Sequence, residues 1–390
     1  MDKTPVKVGM IISSLRTGGK ERMTVAVLEH LDRACFDPFL CVMKEGELLE
    51  SLQNQRVYSR LMRFRGDVFG FAWRLFNILR RENPQILICL SYRIPGWTGR
   101  IVGKLSGIPV VIFELHGVER VGERDLELPD RLIFRHLTDH MIAIGEDFRK
   151  NLIRDGVTPE QITVIRNGID TDRFTPLHDK SMLKRQIFGF DAPVISNISS
   201  MRPKKNLLML VDAFAIVLEK FPAARLVLIG DGSERENLEA YIAECGLRDK
   251  VLMTGKRQDV ADLMRASDII ALSSTTEAAP LTILEAGACG VPVVSTAVGE
   301  IPDMIIDGET GFLVPSMDIK ALAKRLCDLL GNDDLRAKMG AAAREYITAN
   351  FSIKSSVRAR EMLFIRLLTE KGVLSDFNEK DIRTVNHARS

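Results

Sequence analysis

The chain has 390 residues, 46% of them apolar and 27% charged, with a formal net charge of +2. That length exceeds one ordinary core and points to two domains, while the near-neutral balance gives no electrostatic case for a nucleic-acid partner. Six cysteines form no CxxC pair and most sit in apolar runs, which excludes a disulfide scaffold and suits a reducing, cytoplasmic setting.

In chain order, the first half alternates short apolar runs with helical spacing. Strands are expected at 6–13, 39–43, 85–90, 110–113, 141–144 and 163–165, with helices over 21–32, 68–81 and 97–105. The second half repeats the logic, with strands at 193–198, 226–229, 251–254, 269–272 and 293–295. Near-continuous apolar strands separated by helices imply parallel sheets covered on both faces. The polar stretch 172–191, with Pro176, marks the break, so the domains are expected at 1–175 and 190–351. Two doubly wound α/β domains then face each other across a cleft, and ligands in such sheets bind at the carboxyl ends of strands. After Leu330 the pattern stays helical to about 371, and the tail 373–390 is polar and expected to fray. The opening segment, interrupted by Lys7, is too short an apolar run for a secretory leader. No window reaches the roughly 18 apolar residues that a membrane span needs.

The stretch SSTTEAAPLTILEAGACGVP, 273–292, organises the rest. Glu277 and Glu285 stand eight positions apart around Pro280 and Thr282, where a helix begins after an apolar strand. Unpaired N–H groups at a helix start suit a phosphate, and flanking carboxylates suit sugar hydroxyls. Three other segments could meet a phosphate or simply turn a strand into a helix. They are LRTGGKER with Gly18 and Gly19, IGDGSERENLE with Gly230, Gly232 and a candidate cap at Ser233, and SSMRPKKNLLML with Arg202, Lys204 and Lys205. His116 follows a strand and is expected to face the cleft. His136 and His140 have the spacing of a metal pair but lack a third ligand, so no metal is expected. The acidic triplet at 170–172 reads as turn chemistry. Residues 58–81 mix six arginines with Phe69, Phe71, Trp73 and Phe76, the makings either of a helix packed on the sheet or of a peripheral membrane contact.

Together these segments, in this order, resemble the retaining, nucleotide-sugar-dependent glycosyltransferases of the GT-B fold, the glycogen-synthase-like group 1 family, over roughly 6–351. The resemblance rests on TGGKER, VIRNGIDTDRF, LVLIGDG, the E-x7-E spacing and GVPVVSTAVGEIPDMIIDGETGFLV. It implies that Glu277 binds hydroxyls of the transferred sugar and Glu285 those of the ribose. The N–H groups of Leu281 and Thr282, with the Thr282 hydroxyl, would take a phosphate beside Ala279 and Pro280. Lys205 matches the diphosphate lysine, with Arg202 as a second cation. Gly19, beside Gly18, would approach the diphosphate, Gly230 would line the donor, and Gly255, Lys256 and Arg257 would lie near the base. His116 would face the sugar, and a C-terminal helix at 352–372 would pack back on the first domain. No cofactor or metal is implied. The partners are a nucleotide sugar, UDP-linked before GDP-linked, and a saccharide or lipid-linked acceptor, reached at the inner face of the membrane. The chain departs from the family pattern at Ser200, Gly145, Ala278, Asp303 and the pair Gly299–Glu300. A sugar-nucleotide epimerase or a degenerate binding scaffold would use the same architecture, whereas a nicotinamide dehydrogenase is disfavoured because GxGxxG is missing.

Overall fold

The computed structural model describes residues 4–16, 18–44, 46–52, 56–57, 67–91, 93–116, 128–177 and 179–374. It divides into two compact units, 1–166 with 353–390, and 167–352.

The first unit runs β1 (Val6–Ile12), α1 (Gly19–His30), β2 (Phe36–Val42), β3 (Arg56–Val57), α2 (Val68–Glu82), β4 (Ile86–Cys89), α3 (Arg93–Leu105), β5 (Val110–Leu115), α4 (Leu128–Leu137), β6 (His140–Ala143), α5 (Glu146–Arg154) and β7 (Ile162–Val164). The seven strands are parallel in the order β3-β2-β1-β4-β5-β6-β7, so the order reverses between β1 and β4. Alternate residues of each central strand serve opposite cores. Val8, Met10 and Ile12 of β1 join Ile86 and Ile88 in one cluster under α1, which leaves Ile11, Leu87 and Cys89 for the other face. Local chemistry sets the helix ends. The Asp67 carboxylate accepts the Gly70 N–H at 2.8 Å to start α2, and Asn83, in the left-handed region at φ 47, stops it before Pro84.

The second unit runs α6 (Ser181–Phe188), β8 (Val194–Ile198), α7 (Leu207–Lys220), β9 (Arg225–Ile229), α8 (Arg235–Glu244), β10 (Val251–Gly255), α9 (Val260–Ala266), β11 (Ile269–Leu272), α10 (Leu281–Ala288), β12 (Val293–Thr296), α11 (Ile301–Met304), β13 (Gly311–Val314), α12 (Ile319–Leu330) and α13 (Asp333–Asn350). Its sheet is also parallel, ordered β10-β9-β8-β11-β12-β13, and reverses between β8 and β11. The last helix, α14 (Ile353–Glu370), belongs to the first unit, where Ile353, Val357, Phe364 and Leu368 join the α1 core and Phe364 meets Phe36 edge-on at 5.9 Å.

The units divide at Arg166–Asn167, upstream of the polar 172–191 stretch where the sequence placed the break. The reason is packing. Ile169 and Phe174 are buried in the second unit's core, the Ile169 N–H donates to Phe351 O at 2.8 Å, and Arg344 on α13 donates to the carbonyls of Thr171, Phe174 and Ala288. Asp170 is turn chemistry: its carboxylate accepts the N–H groups of Asp172 and Arg173. β3 and β13 were not expected from the sequence. The helical stretch from 331 to 371 is two helices, separated at Phe351–Ser352, and the second begins where the chain returns to the first unit. Residues 58–66 and 375–390 lie outside the described residues.

Candidate donor site

In the second unit the candidate residues follow the carboxyl ends of five neighbouring strands. Gly255 ends β10, Gly230 follows β9, Lys205 follows β8, Glu277 follows β11, and Gly299 follows β12. Neighbouring parallel strands lie about 4.8 Å apart, so residues distant in sequence converge at this edge.

The convergence is closest at the reversal point. Lys205 Nζ meets Glu277 Oε1 at 2.5 Å, with side chains only 14% and 6% exposed, and Ser274 Oγ donates to the same carboxylate oxygen at 2.7 Å. Ser273 Oγ donates to the carbonyls of Lys205 and Asn206, the Thr275 N–H donates to Lys204 O at 2.9 Å, and Thr296 Oγ1 donates to Ser274 O at 2.7 Å. The loops after β8, β11 and β12 are thus stitched into one platform. Gly299 closes it from beneath: at φ +56 it adopts a backbone that side chains disfavour, and a Cβ there would fall 1.9 Å from Glu277 O. The next residue, Glu300, donates its N–H to Ala278 O.

α10 begins at Leu281 with Pro280 as its N-cap, so the first N–H groups of the helix emerge beside this platform, flanked by Ala279. Glu285 sits one turn inside the helix and is buried. The Thr282 hydroxyl is not aimed outward as expected: it donates to Ile198 O at 3.0 Å and fastens α10 to the end of β8. Gly230 donates its N–H to Gly255 O at 2.9 Å, and its positive φ of 136 brings its backbone against Ser199, where a Cβ would lie 1.9 Å from the carbonyl oxygen. Ser233 does not cap α8: the N-cap is Glu234, without a side-chain bond. Arg257 is committed to Asp259 at 2.5 and 2.8 Å, a hydrogen-bonded pair that raises the guanidinium's pKa and lowers the carboxyl's. Lys256 and Arg202 are exposed.

Gly18 and Gly19 in the first unit start α1 directly after β1, next to that sheet's own reversal point, and the Glu21 carboxylate folds back against Gly18. His116 directly follows β5. Its side chain is 3% exposed and its Nε2 lies 2.9 Å from Glu114 Oε1, because that buried carboxylate holds it inward. His140 begins β6, and its Nε2 lies 2.8 Å from Thr163 Oγ1. Among the described residues no group of three or more His, Cys, Asp or Glu stands together, and no helix is long and apolar enough to cross a membrane. Cys41, Cys89 and Cys289 are buried, with thiols pushed up to about 12 chiefly by desolvation, whereas Cys245 is exposed.

Sequence reasoning missed Ser273, Ser274, Thr296 and the structural role of Gly299. Their signal was present in the SS before TTE and the G of GEIP, but neither motif names its partner.

Two family models cover most of the chain: Glycosyltransferase Family 4 over 17–173 and Glycosyl transferases group 1 over 182–346. The N-acetyl-alpha-D-glucosaminyl L-malate synthase of Bacillus anthracis is 30% identical across 77% of this chain and 80% of its own. The chain belongs to the group 1, family 4 glycosyltransferases. A further relative of this glycosyltransferase is the UDP-Gal:alpha-D-GlcNAc-diphosphoundecaprenol alpha-1,3-galactosyltransferase of Escherichia coli, 28% identical over 90% of this chain and 95% of that one. Among solved structures, Anabaena HepE in complex with UDP and glucose shares the GT-B fold, with a TM-score of 0.80 and 21% identity over 92% of this chain and 99% of the other. Membership in a family of transferases leaves the epimerase reading without support.

Proposed function

We propose that this glycosyltransferase is retaining and metal-independent. It moves a hexose or N-acetylhexosamine from a UDP-sugar to a glycan or lipid-linked saccharide, in the synthesis of a cell-surface polysaccharide or lipopolysaccharide. The observation that carries this reading is the Lys205–Glu277 pair beside the start of α10. It sets a cation, an acceptor for sugar hydroxyls and a helix N-terminus at one strand edge. The two charges satisfy each other across this pair. A bound diphosphate competes for Lys205 and frees the Glu277 carboxylate for the sugar. Glu285 takes the ribose hydroxyls.

The hard step breaks the bond between the anomeric carbon and the β-phosphate oxygen, and charge gathers on the departing diphosphate. Lys205, the exposed Arg202 and the first N–H groups of α10 stabilise that charge, the kind of contribution worth roughly 10²–10³ in rate per donor removed. The acceptor oxygen forms its bond to the anomeric carbon on the same face. Its proton passes to the leaving phosphate, so no metal or added base is needed. His116, after β5, serves the sugar, and Gly19 the diphosphate.

The donor assignment draws on the UDP-Gal specificity named for the Escherichia coli relative, whose acceptor is a lipid diphosphate. A lipid-linked acceptor fits the first unit's outer surface. Phe69 and Trp73 on α2 are 89% and 67% exposed, and Ile94, Ile101 and Leu105 on the neighbouring α3 and Leu132 on α4 are exposed as well, with Arg80 and Arg81 closing α2. Exposed apolar side chains and cations on these helices suit an anionic bilayer at the cytoplasmic leaflet.

The test is to incubate the full chain with UDP-galactose, UDP-glucose and UDP-N-acetylglucosamine, with and without metal chelator. UDP release from at least one donor, undiminished by chelator and with the anomeric configuration of that donor kept in the product, supports the reading. An inverted product, chelator sensitivity or no release from any donor refutes it.

A further inference from the structure

The chemistry above leaves a buried ionic cluster in the first unit without a purpose. Glu114 on β5 is 4% exposed and Arg360 on α14 is fully buried, although they lie 246 positions apart. Glu114 Oε1 is shared: Arg360 Nη2 approaches it at 2.5 Å and His116 Nε2 at 2.9 Å. Arg360 Nη1 donates to Ser356 Oγ at 2.7 Å and to its carbonyl at 3.1 Å, and Ser356 Oγ donates in turn to Arg166 O at 2.6 Å. Arg166 is the last residue before the chain passes to the second unit.

Stability alone gives little reason for such a cluster, since a buried ion pair can often be replaced by apolar side chains at no loss. Its effect on His116 is a better reason. Burial by itself would raise the Glu114 pKa, but Arg360 and then His116 outweigh it and hold the carboxyl well below the usual range. An ionised carboxylate only accepts, so the contact requires a proton on Nε2, and in the neutral ring Nδ1 is then an acceptor. His116 Nδ1 is buried and has no partner among the described residues. A buried acceptor left unpaired is costly, and a hydroxyl donor would satisfy it.

We propose that Glu114 and Arg360 are positioning residues for His116: they fix its ring with Nδ1 offered to a substrate hydroxyl, and through Ser356 they tie that ring to the segment where the chain leaves the unit. The proposal rests on the reading of His116 as a sugar-facing group, and its test separates the two.

The full chain is labelled with ring-¹⁵N histidine. With six histidines in the sequence, the His116 signals are assigned from their loss in His116→Gln. Long-range ¹H–¹⁵N spectra are recorded for the wild type and for the double variant Glu114→Leu/Arg360→Met, an apolar replacement of the ion pair. The expected wild-type ring is the Nε2–H tautomer alone. In the double variant it becomes a mixture or shifts to Nδ1–H, while the melting temperature stays within a few degrees. An Nδ1–H ring in the wild type, or an unchanged ring in the folded double variant, overturns the proposal. If the double variant does not fold, Ser356→Ala loosens Arg360 alone: doubled or shifted His116 signals support the tie, and unchanged signals overturn it. These spectra need no donor, so they stand even where no UDP-sugar is turned over. Where turnover is seen, the double variant should lower kcat/KM for the donor about 10²-fold, and adding His116→Ala should cost little more. Independent, multiplying losses contradict a role through His116.

Discussion

In the second unit, hydroxyls and backbone amides join the loops after β8, β11 and β12 to one another, and the charged groups between them are nearly covered. In the first unit, α2, α3 and α4 present Phe69, Trp73, Leu105 and Leu132 to solvent. One doubly wound design thus carries two kinds of surface. The stitched edge holds small polar groups at fixed spacing, as a nucleoside diphosphate and a sugar require. The exposed apolar side chains offer area without fixed geometry, as the proposed bilayer contact requires. On this account the chemistry resides in the rigid edge and partner choice in the open face, and substitutions should separate the two.

The largest effect is expected at Lys205. Lys205→Ala removes the cation proposed to meet the leaving group and leaves the Glu277 carboxylate short of its partner. We expect kcat to fall about 10³-fold, read as UDP release, with binding to anionic vesicles unchanged. A variant with near-wild-type turnover would erase the distinction between the two surfaces. Next is Gly299→Ala, which forces a Cβ toward Glu277 O and a side chain onto a positive φ. A loss of about 2–4 kcal/mol in denaturant unfolding is expected, with turnover lost in parallel. An unaltered midpoint would show that the loop gives way.

On the open face, Phe69→Glu/Trp73→Glu should lower partition onto anionic vesicles about tenfold while leaving turnover of a water-soluble acceptor intact. Equal binding by the variant would remove the membrane from the account. The smallest effect concerns pH. His140 is buried, which together with the Arg366 charge lowers its pKa from 6.5 to about 4 against the opposing pull of Asp139. Between those values the unfolded chain binds a proton that the folded chain refuses, so stability falls as pH drops from 6.5 toward 4, by at most about 1.4 kcal/mol per unit. His140→Asn should flatten that part of the profile, and an equally steep slope would assign the acid sensitivity elsewhere.

Much of this architecture is legible in the amino-acid order, because buried parallel strands are written as apolar runs. β3 escaped because two residues carry no periodicity, and β13 because GFLV is brief and follows a turn-rich DGET. The unit boundary was misplaced because Ile169 and Phe174 find their core partly through Phe351 and Arg344, which no local pattern announces. The site shows the same division. The motifs name Glu277, Glu285 and Lys205, but the contact between Lys205 and Glu277 spans 72 positions and exists only because β8 and β11 are neighbours. His116 was read from its place after a strand, but its contact with Glu114, a carboxylate held by an arginine 246 positions further along the chain, was not.

The central claim, that the second unit's edge binds the donor's nucleoside diphosphate, is tested most directly by calorimetric titration of the full chain with UDP, GDP and ADP. The account predicts that UDP binds the wild type best and that Glu285→Ala weakens it about 10- to 100-fold, the loss expected when hydrogen bonds to a charged group are removed. Absence of UDP binding, or equal UDP affinity in Glu285→Ala, would contradict it.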